Sequence, residues 1–249
     1  MGLVRTLIEA NIRLSQAFDS ILPERVREDG NRHFTDHIVP LALRRGITLY
    51  DVGSGRTPCL SRETKEKWEM TVVGLDISAE ELAAAPPGAY DRAIVADIGE
   101  FVGAAEADAV ICRALLEHVP DTSRAMRALA GLLKDGGRMF IFVPSRNAVF
   151  ARLNLLLDEN LKKSLLRFFY PEAKGQGFRA YYSHCTPSQI EELAKKNRLE
   201  VEVRRLFWIS SYFQVFIPAF LLWRLGQLLL FQWLRTDAAE TFIYVLRKD

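Results

Sequence analysis

Three apolar runs of the chain each end in a carboxylate, and chemistry is best sought where they end. Ile47 to Val52 carries Asp51 and stops at Gly53-Ser54-Gly55; Thr71 to Leu75 ends in Asp76; Ala93 to Ala96 ends in Asp97. A Gly-x-Gly turn lets a ligand approach bare backbone, and a helix following it offers unpaired N–H groups. With Asp51 beside it, such a turn suits a cationic, carboxylate-bearing group. An acid at the end of the next strand can take both hydroxyls of a ribose, the role Asp76 is placed to fill. A fourth run, Ala107 to Cys112, leads into Glu117 and His118. An imidazole titrates near neutrality and is well matched to taking a proton from a reacting hydroxyl. His118 is the first candidate for that role; the plainer reading of it is a helix cap. His184, close to Tyr181 and Tyr182, is the second.

These acids share one rim only if their strands run parallel, and that rim is where open α/β sheets bind ligands. The punctuation between the runs fits such a sheet. Pro58 suits the first turn of a helix over about 58–67, and Ser78 caps a short helix before Pro86-Pro87-Gly88. Asp121 or Thr122 caps a helix over 123–134 that stops at Gly136-Gly137. The run Arg138 to Val143, continuously apolar after its first residue, reads as a strand buried on both faces. A helix at about 187–197 precedes strands at about 200–207 and 240–247. A nicotinamide-dinucleotide site is the rival for the glycine turn, but its fingerprint wants a third glycine where Pro58 stands.

With 249 residues the chain is long enough for one α/β domain with insertions, and its net charge of +2 argues against a general nucleic-acid binder. Cys59, Cys112 and Cys185 are scattered without metal-ligand spacing, which points to the reducing cytoplasm and to no metal site. Glu9, Asn11 and Arg13 interrupt the apolar positions near the N-terminus, so no secretory signal is expected.

The ordered set Asp51 to Gly55, Gly74-Leu75-Asp76, Ala96-Asp97, Leu116 to Asp121, Gly136 to Pro144 and Thr186 to Leu193 resembles class I S-adenosylmethionine-dependent methyltransferases. The small-molecule branch that includes quinone-ring and sugar O-methyltransferases is the nearest likeness, from about Gly46 to Leu206 and over the last strand. The resemblance implies a Rossmann-like seven-stranded α/β sheet, order 3-2-1-4-5-7-6, with the last strand antiparallel and helices on both faces. It implies S-adenosyl-L-methionine as cofactor. Asp51, Gly53, Ser54 and Gly55 would back its methionine part, Asp76 and Ile77 its ribose side, Asp97 and Ile98 its adenine, and Cys112 and Arg113 the floor. Some quinone-type relatives carry a Glu-x-x-Glu-His metal cluster; here Glu117 and His118 match its end, but Ala114 stands where its first acid would be. Transfer to oxygen leads; transfer to nitrogen or a quinone ring carbon, and a non-catalytic scaffold of the same fold, are the alternatives.

Residues 1–45 read as a helical cap on a methyltransferase domain of 46–249. An amphipathic helix over 2–22 carries Leu3, Leu7, Leu14, Phe18 and Ile21 and either packs on the domain or meets a membrane surface. A second helix is expected over about 24–45. Two insertions follow strands five and six: 144–186, a substrate lid or lipid-facing basic segment, and 209–236, an apolar hairpin. The second is nearly long enough for a bilayer span, yet both flanking strands belong to one sheet. It is therefore expected to dip into one leaflet, bent at Pro218, with Trp208, Trp223 and Trp233 in the headgroup layer; burial in a homodimer through 209–234 is the alternative. Both insertions leave the sheet on the cofactor rim, which makes a lipophilic or lipid-linked acceptor the expected substrate.

Overall fold

The computed structural model describes residues 2–156, 179–209 and 213–249. Strands β1 (Thr48–Val52), β2 (Thr71–Asp76), β3 (Arg92–Val95), β4 (Ala107–Arg113), β5 (Leu133–Pro144), β6 (Leu199–Phe207) and β7 (Thr241–Lys248) form one sheet of order β3-β2-β1-β4-β5-β7-β6. β7 runs antiparallel to both neighbours and the other pairings are parallel. The expected topology is therefore the one observed, and the C-terminal ends of β1, β2, β4, β5 and β6 share one rim.

Alternation along the strands divides the core into two layers. Met139, Ile141 and Val143 of β5 and Phe242, Tyr244 and Leu246 of β7 point to one face. Phe140, Phe142, Ile243 and Val245 point to the other. The first face is covered by Met126 and Leu129 of α5 (Thr122–Leu132) and by Ile190 and Leu193 of the helix Pro187–Lys196. The second is covered by Phe34, Ile38, Val39 and Ala42. Two buried faces explain why these central strands read as unbroken apolar runs.

The segment expected as a helix over 24–45 is instead a chain of short turns. They are Glu24–Val26, the helix α2 (Gly30–His33), a π turn Phe34–Ile38 and a 3-10 turn Val39–Ala42. Asp29 caps α2 by accepting from the Arg32 N–H, and Pro40 sits in the last turn. Gly30 is bound by its neighbours: a Cβ there would lie 2.4 Å from Thr241 Oγ1 and 2.9 Å from the Phe207 ring. Its Phe34, Ile38, Val39 and Ala42 belong to the sheet's core, and its Gly30 meets Phe207 and Thr241 at the rim end of β6.

The second insertion also differs from expectation. Pro218 lies in the first turn of a continuous helix, α8 (Ile217–Leu234), where its missing N–H costs nothing, so it begins the helix and does not bend it. The described part of 209–236 forms no hairpin of its own; α8 pairs with α1 (Gly2–Ile21). The remaining helices are α3 (Arg62–Lys67), α4 (Ala79–Ala83), α6 (Val149–Leu156) and α7 (Pro187–Lys196). The lid core expected within 144–186, including 161–170 and Gly175-Gln176-Gly177, lies outside the described residues.

Candidate active site

The loop after β1 is shaped by one buried carboxylate. Asp51 is 1% exposed; its Oδ1 accepts from Ser54 Oγ at 2.5 Å and its Oδ2 from the Cys59 N–H at 2.7 Å. Those bonds favour the anion, yet burial outweighs them and raises the Asp51 pKa. Drawing residue 59 back onto Asp51 leaves Pro58 in the loop, and α3 starts only at Arg62, capped by Ser61. The helix over 58–67 that the sequence suggests is shorter for this reason, and its N-terminus does not abut the glycine turn. Asp51 organises the loop from within. Arg113, at the end of β4, closes it from outside by donating to the Thr57 carbonyl at 3.2 Å.

Both glycines of the turn are required by position. Gly53 (φ +77°) would place a Cβ 2.7 Å from Leu115. Gly55 (φ +47°) would place one 2.8 Å from Glu81 Cβ and 3.2 Å from Asp76 Oδ2, so α4 and that carboxylate approach the turn too closely for a side chain. Asp76 accepts from the Ser78 N–H at 2.9 Å, and partial burial raises its pKa. The neighbouring Ile77 is 58% exposed, an apolar surface suited to a flat ring. Asp97 is exposed and accepts from the Gly99 N–H at 2.7 Å, while Ile98 is 5% exposed and packed in the core. Ile98 is therefore a core residue and not an open wall. Cys112 is likewise buried, its thiol held protonated by burial, so its side chain lines no open surface.

Two contributors were not legible as site residues. Tyr90 donates from its hydroxyl to the Gly55 carbonyl at 2.9 Å, and its ring crosses β2 where a Cβ on Gly74 would lie 2.8 Å away. The signal for it was a glycine inside an otherwise branched strand, which marks close approach. Arg56 bridges both oxygens of Glu81 at 2.5 and 2.6 Å and clasps the loop to α4.

Across the rim, β4 runs into a 3-10 turn, Leu116–His118. His118 Nδ1 lies 3.1 Å from the Arg179 carbonyl, and its Nε2 lies 3.8 Å from Glu117 Oε1. A carbonyl only accepts, so Nδ1 carries the proton and Nε2 is the basic nitrogen of the neutral ring. Glu117 is 3% exposed with no hydrogen-bond partner at Oε2, and burial pushes its pKa up to about 8. Its backbone carbonyl receives the N–H groups of Tyr181 and Tyr182, which fixes the strap 179–186 onto this turn. His184 lies further along that strap, exposed, within 3.2 Å of Ser183 Oγ and in the field of Glu192 on α7. The structure thus places His118 beside β4 and sets His184 towards α7.

The family model for the methyltransferase domain matches residues 20–202. Two ubiquinone biosynthesis O-methyltransferases are similar in sequence. The one from Ralstonia nicotianae is 30% identical over 66% of this chain and 68% of its own. The one from Thiobacillus denitrificans is 30% identical over 68% and 70%. Among solved structures, the geranyl diphosphate C-methyltransferase of Streptomyces coelicolor superposes with a TM-score of 0.55 at 11% identity, covering 88% of this chain and 79% of its own. A SAM-dependent methyltransferase from Methanosarcina mazei superposes with 0.52 at 20%, covering 85% and 97%. The chain belongs to the class I S-adenosylmethionine-dependent methyltransferases. It is an enzyme whose cofactor is S-adenosyl-L-methionine, and the Asp76 carboxylate at the end of β2, close to the glycine turn, is of the chemistry that fits that cofactor's ribose hydroxyls.

Proposed function

We propose that the enzyme transfers its methyl group to a hydroxyl of a lipophilic or lipid-linked acceptor, working from the inner face of a membrane. The observation that carries this reading is the inside-out packing of α1 on α8. Asn11, Ser15 and Asp19 form a stripe at four-residue spacing, and it faces the protein. Asn11 Oδ1 accepts from the Ile217 N–H at 3.0 Å, Ser15 donates to the Gln214 carbonyl at 3.2 Å, and Asp19 takes two bonds from Arg224. The buried stripe of α8 is Phe220, Trp223, Arg224 and Gln227. The apolar stripes face out: Leu14 is 59% exposed, Ile21 82%, Leu222 70% and Trp233 83%. In water such a patch is costly and marks an interaction surface; against acyl chains it is the favourable arrangement. The Trp223 indole donates to Glu240 at the start of β7, so Trp223 belongs to the fold, not to a headgroup layer, and α8 lies along the domain.

Ile217–Ala238 is long and apolar enough by composition to cross a membrane. Its inner stripe is fused to the sheet, which favours a monotopic seat in one leaflet. The free thiols Cys59, Cys112 and Cys185 are consistent with a cytoplasmic setting.

The two relatives are O-methyltransferases of ubiquinone biosynthesis, which supports oxygen as the acceptor atom. When bound, the cofactor supplies an electrophilic methyl on sulfur. The chain aligns the acceptor oxygen with that methyl and excludes water, and proximity contributes several kcal/mol. His118 Nε2 would take the proton that the acceptor hydroxyl gives up on methylation. Incubation with methyl-labelled cofactor and a bacterial membrane lipid extract tests the reading. Label should enter the organic phase as a methyl ether; label confined to water-soluble products, or to N- or C-methyl groups, would refute it.

A further inference from the structure

The strap 179–186 is laced to three rim loops. Its Arg179 carbonyl takes the His118 Nδ1–H at 3.1 Å, and its Tyr181 and Tyr182 N–H groups donate to the Glu117 carbonyl at 2.7 and 3.0 Å. Thr122, at the start of α5, donates to the Ser183 carbonyl. The Cys185 carbonyl accepts from the Arg146 N–H, just past β5, at 2.7 Å. These bonds fix the strap beside the proposed base, and what it presents outward is a ring and a cation. Tyr181 is 38% exposed, and the Arg179 guanidinium lies over its ring, Cζ 5.2 Å from the centroid. An arginine stacked in this way gives its flat face to the ring and keeps its N–H edge for the oxygens of an anion.

Charge around the strap leaves that edge unclaimed. Asp121 spends its carboxylate on the first N–H groups of α5, and Asp237 on Ser188. On α7, Glu191 is taken by Arg204 and Tyr244, and Glu192 by Lys196. Burial raises the Glu117 pKa to about 8 and so favours its neutral form at pH 7. On the cradle side, Arg113 is bonded to Thr57 and lies in the field of Asp51. Arg146 and Arg179 are exposed, and among the described residues their guanidinium groups form no hydrogen bond or ion pair. Arg146 lies in electrostatic range of Cys185, so both cations border the strap. Two unpaired cations beside the base, with the neighbouring acids already spent, suit an anionic ligand.

We infer that Arg179, stacked on Tyr181, recognises the acceptor, and that the acceptor carries an acidic oxygen group, a carboxylate or a phosphate, near the hydroxyl that is methylated. Arg146 adds to the attraction at longer range. The inference rests on the hydroxyl-transfer reading above and adds a charge to its acceptor. The full chain is incubated with methyl-labelled cofactor and a bacterial membrane lipid extract, and the labelled methyl ether is passed over an anion exchanger at neutral pH. It should be retained. Loss of retention after dephosphorylation with hydrofluoric acid identifies a phosphate, and retention after that treatment a carboxylate; either upholds the site. Arg179→Ala should raise the extract concentration that gives the half-maximal rate by about 10–100-fold, with cofactor affinity unchanged by calorimetry. Arg179→Lys should restore part of the loss, and Arg146→Ala should give a smaller rise. A labelled methyl ether that passes the exchanger unretained overturns the acceptor site and leaves hydroxyl transfer standing. So does a retained one whose half-maximal concentration is the same in Arg179→Ala. Parallel loss of cofactor affinity in Arg179→Ala makes the strap a structural element and overturns its part in recognition. Label that enters no methyl ether overturns the site and the hydroxyl-transfer reading together.

Discussion

The cofactor cradle and the α1–α8 pair solve opposite problems with the same residue types. In the cradle, polar side chains tie backbone to backbone: Asp51 holds residue 59, Arg113 holds Thr57 and Tyr90 holds Gly55. What they leave at the strand end is the Asp76 carboxylate beside Gly55. In the pair, Asn11, Ser15, Asp19 and Arg224 are consumed between two helices, and what remains open is leucine and tryptophan. The two regions therefore leave opposite surfaces outward: a carboxylate beside a glycine turn in one case, leucine and tryptophan in the other.

The comparison breaks first at His118. If the cradle only binds and His118 removes the proton, His118→Ala should lower kcat by about 10²–10⁴-fold with cofactor affinity within about twofold. Steady-state turnover and calorimetry read the two separately, and parallel losses would make His118 a structural cap.

Arg224→Ala tests the pair. The Asp19–Arg224 ion pair has side chains 5% and 8% exposed, and removing one partner of a buried pair costs about 3–5 kcal/mol. Thermal and urea unfolding should show that loss. The double change Asp19→Leu, Arg224→Met should recover much of it, because an apolar pair demands no desolvated charge.

Glu117 sharpens the contrast through pH. Its folded pKa of about 8 stands above the ordinary carboxylate value, so the folded state holds a proton that the unfolded chain releases. The stability it contributes is present below the unfolded pKa and is lost as pH rises towards 8. Wild type should therefore weaken between pH 5 and 8.5. Glu117→Gln should flatten that slope, with a gain on the order of 3 kcal/mol at the alkaline end. Melting temperatures across that window would check it, and identical slopes would contradict it.

Asp76→Ala gives the smallest of these effects. Losing charge-assisted bonds to the ribose should weaken S-adenosylmethionine by about 10–100-fold without altering vesicle binding, as titration calorimetry would show.

The sheet order came with the family resemblance, whereas the strand ends at Asp51 and Asp76 were legible from the residues themselves, because an apolar run closed by an acid is a local pattern. Sequence alone misplaced the start of α3, since the bond from Cys59 N–H to Asp51 is a loop closure that Pro58 conceals. Tyr90 escaped because its role depends on Gly74, sixteen residues away. α1 was read as an amphipathic helix and the region of α8 as an apolar hairpin, each by itself, because nothing local shows that Asp19 and Arg224, 205 residues apart, would neutralise each other. That pairing turns the apolar faces outward, and it also removes Trp223 from the candidates for a lipid contact.

Quenching of tryptophan fluorescence by brominated acyl chains tests the outward face most directly. Trp233, 83% exposed at the end of α8, should be quenched when the protein meets vesicles of brominated phosphatidylcholine, and Trp233→Phe should remove most of the quenching. Wild type quenched no more than Trp233→Phe, together with a dimeric mass in solution, would contradict the account and give that face to a second copy of the chain.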